Sequence, residues 1–189
     1  MRENMSKFEP AVEYVLEREG GLNENPNDLG GITNFGISLR FIREISLERL
    51  RRYGIFEPIT DQTIRNLAVD QAKFIYKGEF WNEAPFHEIE YQEICNYVFD
   101  MCVNLGIYQG IKLLQRAIWA SMRNRYVLKD DGILGSNTIS EINLCNGGLL
   151  SILIAIRACF YAQIAALNPS QKINLEGWLN RAYEGVWEY

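Results

Sequence analysis

Glu19-Gly20-Gly21, Asn25-Pro26-Asn27-Asp28-Leu29-Gly30-Gly31 and Thr33-Asn34-Phe35-Gly36-Ile37-Ser38 make up the stretch on which the reading of this chain turns. Glycines, a proline and carboxylates are concentrated there, directly after a helix-forming run. That run, residues 8–18, carries Phe8, Val12 and Val15 at i, i+4 and i+7, the apolar stripe of an amphipathic helix, and Gly20-Gly21 ends it. At about 100° per residue, Glu19 projects within roughly 20° of Phe8, in the middle of the stripe, whereas Glu17 projects on the opposite face. Of the acids on this helix, Glu19 is the one aimed inward.

Two influences of one sign act on a carboxyl group so placed. Partial desolvation against the core and the negative end of the helix macrodipole both favour its neutral, protonated form. A carboxylic acid that keeps its proton is what a general acid needs to protonate a leaving oxygen. The bland alternative is a helix-terminal glutamate bent out to water. After it, Asn25-Pro26-Asn27-Asp28 has turn chemistry, and Gly30, Gly31 and Gly36 permit positive φ or close backbone approach. Residues 32–37 are short and β-tolerant, so a small β-hairpin or loop is expected beside the end of the first helix, holding Asp28 near Glu19. Two carboxylates flanking a cleft are the minimum equipment for hydrolysing a glycosidic bond. Asp28 is either that second carboxylate or a turn former.

These three blocks resemble the signature of glycoside hydrolase family 108, the N-acetylmuramidase-like proteins also known as secretion activators. Leu22 departs from it where the family often has an aromatic residue, and Leu29 where it often has proline. The resemblance implies a lysozyme-like fold, peptidoglycan as substrate and Glu19 as the catalytic acid. In that reading Asp28 stabilises the oxocarbenium-like transition state or activates water, and Thr33 helps to place that water.

The 189 residues are enough for a sizeable core, and with 48% hydrophobic content disorder is not expected. A net charge of −5 gives no basic footprint for nucleic acid, so an acidic wall polymer would be found by cleft contacts and not by long-range steering. Residues 1–5 have no apolar core of a signal sequence. The expectation is therefore synthesis in the cytoplasm and action on the cell wall after holin-type or other non-classical export, with a holin-like export partner. His87 is the only histidine, so a zinc amidase or metallopeptidase lacks its usual ligands and no metal or other cofactor is expected. Cys95, Cys102, Cys145 and Cys159 lack C-x-x-C spacing, and Cys95 and Cys102 lie about 10 Å apart along one helix; free thiols are expected.

Short helices are expected over residues 39–45 and, capped by Ser46, 47–53, followed by one running through Ala72, Ile75 and Tyr76 whose aromatics belong first to the core. The run from Tyr91 to Leu105 is apolar on nearly all sides and should cross the centre of the domain. Its one polar stripe, Asn96, Asp100 and Asn104, either reaches solvent at an edge or lines a cleft as a substrate-binding face. The segment from Asp100 to Gly106 also resembles the family's Asp-x-x-x-Asn-x-Gly, which makes Asp100 the alternative to Asp28 as second carboxylate.

Leu114-Gln115-Arg116-Ala117 followed by Asp131-Gly132-x-x-Gly135-x-x-Thr138 resembles the predicted peptidoglycan-binding domain that accompanies the catalytic part, with Ser136 in place of a frequent proline and Ser136 or Asn137 expected as the next N-cap. The apolar run from Leu149 to Leu167 contains Arg157 and Gln163 and falls short of an uninterrupted span of ~20 residues, so a buried core helix and no membrane insertion are expected. Gly177-Trp178-Leu179-Asn180-Arg181 matches a Gly-Trp-Leu-x-Arg segment of the family's C-terminus, and Trp178, Tyr183 and Trp187 are either docking anchors or sugar-stacking rings.

The expected architecture is mainly α-helical, lysozyme-like, with a small β-hairpin or loop after the first helix. Residues 1–106 form the catalytic part and 107–189 the helical peptidoglycan-binding part, sharing one core. The expected function is hydrolysis of the β-1,4 bond between N-acetylmuramic acid and N-acetylglucosamine. The rival is a non-catalytic peptidoglycan- or partner-binding protein that assists secretion.

Overall fold

The computed structural model describes residues 5–24, 31–121, 128–145 and 148–183. Among them are ten α-helices and one two-stranded antiparallel hairpin, the mainly helical architecture that the apolar periodicities predict. The chain divides into two compact units. One is Lys7–Ala84; the other runs from Pro85 to the end and includes Ser6.

In the first unit, α1 (Phe8–Glu19) forms on the stripe read from the sequence, with Phe8, Ala11, Val12 and Val15 buried. Pro10 falls in its first turn, where the missing N–H is no loss. The helix stops at Gly20, whose φ of 69° a side chain would disfavour. The hairpin follows as β1 (Thr33–Asn34) and β2 (Ile37–Ser38), paired Thr33 to Ser38 and Asn34 to Ile37. Then come α2 (Leu39–Glu44), α3 (Leu47–Arg52), α4 (Asp61–Arg65) and α5 (Val69–Glu79). Ser38 and Ser46 cap α2 and α3 by accepting from the amides of Phe41 and Arg49. Phe8 meets Trp81 edge-on at 5.5 Å, and Ile37, Ile42, Ile64 and Ile75 are completely or nearly completely buried in the same unit.

The second unit is built on α6 (Gln92–Leu105), α7 (Ile107–Ser121), α8 (Ser136–Leu144), α9 (Leu149–Leu167) and α10 (Leu175–Tyr183). Every residue from Tyr97 to Met101 is at most 1% exposed, so α6 is covered on all sides as its composition predicts. Its main packing is against α7, and Gly110 allows the approach, because a Cβ there would overlap the Sγ and backbone of Cys102. Contact with α7 and α9 places α6 in this unit, whose packing begins at Pro85. The four cysteines are free thiols; burial pushes the thiol of Cys95 up to about 12 and raises that of Cys102 as well.

Gln115 explains the spacing of the glycine-paced turn. Its amide nitrogen donates to Asp131 Oδ1 at 2.8 Å and to the carbonyl of Ile133, and its oxygen accepts from the amide of Gly132 at 2.9 Å. One buried side chain on α7 thus satisfies the turn that leads into α8. The N-cap of α8 is Gly135, one residue before the serine expected there, because Ser136 already has helical backbone.

By length and composition α9 is the one helix among the described residues long and apolar enough to cross a membrane. Its inward face consists of Leu149, Leu153, Ile154, Arg157, Ala158, Tyr161 and Ala165, while Ala155, Cys159, Ala162 and Ala166 are exposed. It is thus a core helix along one face only. Trp178 on α10 stacks on Tyr161 at 5.4 Å, as a docking anchor does. Tyr183 is 39% exposed, and Trp187 lies outside the described residues.

Arg157 is completely buried, and Nη1 lies 2.8 Å from Asp100 Oδ2; Arg181 on α10 reaches Asp100 Oδ1 at 2.7 Å. Burial opposes the charge on Arg157, but Asp100, Tyr161 and Tyr97 outweigh it and its pKa is raised. A single carboxylate therefore holds two guanidinium groups from two helices. Removing its charge takes the counter-ion from the fully buried Arg157, so Asp100→Asn is expected to lower the free energy of unfolding in urea by about 3–5 kcal/mol. A loss below about 1 kcal/mol would contradict this role.

Candidate functional site

The first helix carries four glutamates, and their exposure separates them. Glu9, Glu13 and Glu17 are exposed, whereas Glu19 is half-buried at the last position of the helix. What covers it is the hairpin. The two residues between β1 and β2, Phe35 and Gly36, have φ of 51° and 76°, the positive pair that a tight type I′ turn demands. The Asn34-Phe35-Gly36-Ile37 segment supplies glycine at one of those positions only; Phe35 is the one non-glycine residue with positive φ among the described residues.

Gly36 is required for a second reason. A Cβ built on it would overlap Cγ, Cδ and Oε2 of Glu19. The carboxyl group of Glu19 thus lies directly against the backbone of the turn, in the space that any other residue would fill. The turn is fastened from below by two hydrogen bonds. Tyr76 on α5 donates from its hydroxyl to the carbonyl of Phe35 at 2.7 Å, and the buried side chain of Asn34 donates through Nδ2 to the carbonyl of Ile64 at 3.0 Å.

Thr33 is half-buried on β1 and pairs on both sides, with Ser38 in the hairpin and with Asn23 in an isolated bridge of two hydrogen bonds, 2.8 and 2.9 Å. The bridge fixes the two flanks of the segment that contains Asp28. Asp28 itself lies outside the described residues.

The polar stripe of α6 has internal partners. Asn96 accepts from Gln92 Nε2 at 2.7 Å within its own helix. Asp100 is fully buried between Arg157 and Arg181, and Asn104 accepts from the hydroxyl of Tyr161 at 2.6 Å, which in turn accepts from Nε of Arg157 at 2.8 Å. Asp100 and Asn104 therefore join one network that ties α6 to α9 and α10. No surface of the Asp100 side chain is exposed where it would meet a glycan.

His87 is exposed in a short 3-10 turn, and its carbonyl accepts from the amide of Ser6. Among the described residues no three His, Cys, Asp and Glu side chains gather as a metal site requires. Sequence reasoning passed over Tyr76, which reads as one more core aromatic, and over the partner of Arg157. For the latter a signal existed: an arginine inside an apolar helix demands a buried acid.

The sequence matches the family model for Glycosyl hydrolase 108 over residues 12–106 and that for a Predicted Peptidoglycan domain over residues 109–183. The solved structure of Brucella abortus SagA superposes with a TM-score of 0.63 at 20% identity, covering 93% of this chain and 92% of that one, a likeness of fold. No curated protein matches the sequence.

Gly36→Ala tests the contact with Glu19. It places a side chain at positive φ, at about 1–2 kcal/mol, and drives a methyl group into the carboxyl group. The expected result is a folded protein whose melting temperature falls by a few degrees and whose Glu19 side-chain carboxyl carbon resonance shifts. An unchanged resonance would show that the turn does not constrain Glu19.

Proposed function

The chain belongs to the glycosyl hydrolase 108 family, and from that premise we propose that it is a lysozyme-like peptidoglycan hydrolase with Glu19 as general acid. The bond cleaved in this reading is the β-1,4 link between N-acetylmuramic acid and N-acetylglucosamine. The observation that carries it is the half-buried carboxyl group of Glu19, held against Gly36 within the matched segment. The match of residues 109–183 to a peptidoglycan domain supports the substrate.

In this mechanism Glu19 gives its proton to the glycosidic oxygen as the C1–O bond breaks, and positive charge develops at C1 and the ring oxygen. Asp28 stabilises that charge or takes a proton from the water that adds to C1. Thr33, fixed by pairing on both sides, helps to place the water. The products are a free 4-hydroxyl on one sugar and a new reducing end on the other.

Glu19→Gln is nearly isosteric and has no proton to give. Losing general acid catalysis costs about 10²–10⁴ in rate. The variant is expected to melt like the wild type, to bind peptidoglycan in a pelleting assay, and to release almost no borohydride-reducible N-acetylmuramic acid. Asp28→Asn is expected to lose turnover with little change in melting temperature. If the wild type releases no reducing ends yet binds the wall, a binding protein is the better description; peptide or amide cleavage products would refute the glycosidase assignment.

A further inference from the structure

The turn that backs Glu19 sits in a conformation its own sequence does not favour. For an L-residue the left-handed region costs about 1–2 kcal/mol, and Phe35 occupies it. Glycine at both central positions would remove the problem, so something outside the turn holds Phe35 there. The hydroxyl of Tyr76, forty-one residues later, is hydrogen-bonded to the carbonyl of Phe35 at 2.7 Å.

The position of that hydroxyl is set by the core. Tyr76 is 1% exposed on α5, its ring packs on Phe80 at 5.9 Å, and Phe80 packs on Phe41 at 5.7 Å. A ring so enclosed has little freedom, and its hydroxyl becomes a fixed point. The carbonyl it holds belongs to the peptide between Phe35 and Gly36, the plane that sets where the Gly36 backbone lies. That backbone is the wall on which the Glu19 carboxyl group rests.

We infer that Tyr76 is a positioning residue for Glu19: through the Phe35 carbonyl it fixes the turn whose Gly36 determines where the Glu19 carboxyl group can lie. The inference rests on the reading of Glu19 as proton donor. A 1 Å displacement of a reacting group is enough to cost about 10²-fold in rate, so a single hydrogen bond at the back of the turn has a measurable consequence. A hydroxyl that only satisfied a buried carbonyl would change stability and leave turnover alone.

The test compares Tyr76→Phe with Tyr53→Phe in the full chain. Tyr53 lies in the same unit and also donates a 2.7 Å hydrogen bond, to Glu79 Oε1. Tyr76→Phe is expected to lower kcat on soluble muramyl glycan oligomers by about tenfold or more, with KM changed by less than about twofold, and to shift the carbonyl carbon resonance of the Glu19 side chain. Tyr53→Phe is expected to leave both readouts at wild-type values. The proposal is overturned if Tyr76→Phe keeps wild-type kcat, if only KM rises, or if both variants lose kcat equally. Should the wild type release no reducing ends, the hydrolase reading falls, but the Glu19 resonance still decides: a shift in Tyr76→Phe upholds the positioning role, and an unchanged line overturns it. If Tyr76→Phe does not fold, it is combined with Phe35→Gly, which removes the conformational cost at position 35. A kcat below that of Phe35→Gly alone then supports the proposal, and an equal kcat overturns it.

Discussion

The carboxyl group of Glu19 and the Cα of Gly36 lie in adjoining space that one methyl group would close. Much of the local construction of the Lys7–Ala84 unit serves that contact. The apolar stripe of α1 turns Glu19 inward, Gly20 stops the helix directly after it, and the paired segments at Asn23, Thr33 and Ser38 bring the hairpin over its end. The turn needs two positive φ angles, and the chain offers glycine at only one of them. The shortfall is met by Tyr76, and Asn34 fastens the adjoining strand to Ile64. In the proposed mechanism, fixed backbone neighbours on one side of this carboxyl group supply the preorganisation a proton donor needs.

The second unit depends on a different constraint. The α9 helix is nearly continuous in apolar residues, yet it carries a fully buried arginine. An isolated buried guanidinium would be severely penalised, and Asp100 makes Arg157 tolerable while also capturing Arg181 from α10. The α10 helix has one fully buried residue, Ala182; around it Leu175, Trp178 and Leu179 pack on the same cluster, and Arg181 and the hydrogen bond from Tyr97 to the Ala182 carbonyl add polar ties. The Gly-Trp-Leu-x-Arg segment supplies three of these contacts, through Trp178, Leu179 and Arg181.

What was legible in the sequence was local. The 3.6-residue period of Phe8, Val12 and Val15 gave the first helix and the inward direction of Glu19, because both follow from the geometry of a single helix. The glycine at position 36 was legible as a place of positive φ or close approach, and it is both. Tyr76 was not legible, since nothing in a helix of core aromatics says which hydroxyl meets a carbonyl forty-one residues earlier. The stripe of Asn96, Asp100 and Asn104 was correctly seen as one polar face of α6. What it faces depends on which helix packs there, and the arginine that answers it is far along the chain. Pairing across long separations is a property of the packed chain, and composition and period carry no record of it. Turn chemistry places Asp28 in a loop and goes no further, because a carboxylate that closes a turn and one that assists catalysis have the same local sequence.

The central claim is that Glu19 protonates a glycosidic oxygen while water adds to the anomeric carbon of N-acetylmuramic acid. Digestion of purified peptidoglycan in ¹⁸O-water by the wild type and by Glu19→Gln, followed by mass spectrometry of the released fragments, tests it most directly. The account predicts new N-acetylmuramic acid reducing ends bearing ¹⁸O at C1 from the wild type, almost none from Glu19→Gln, and no label in the peptide stems. Label in a new peptide carboxylate, or fragments ending in an unlabelled anhydro sugar, would contradict it.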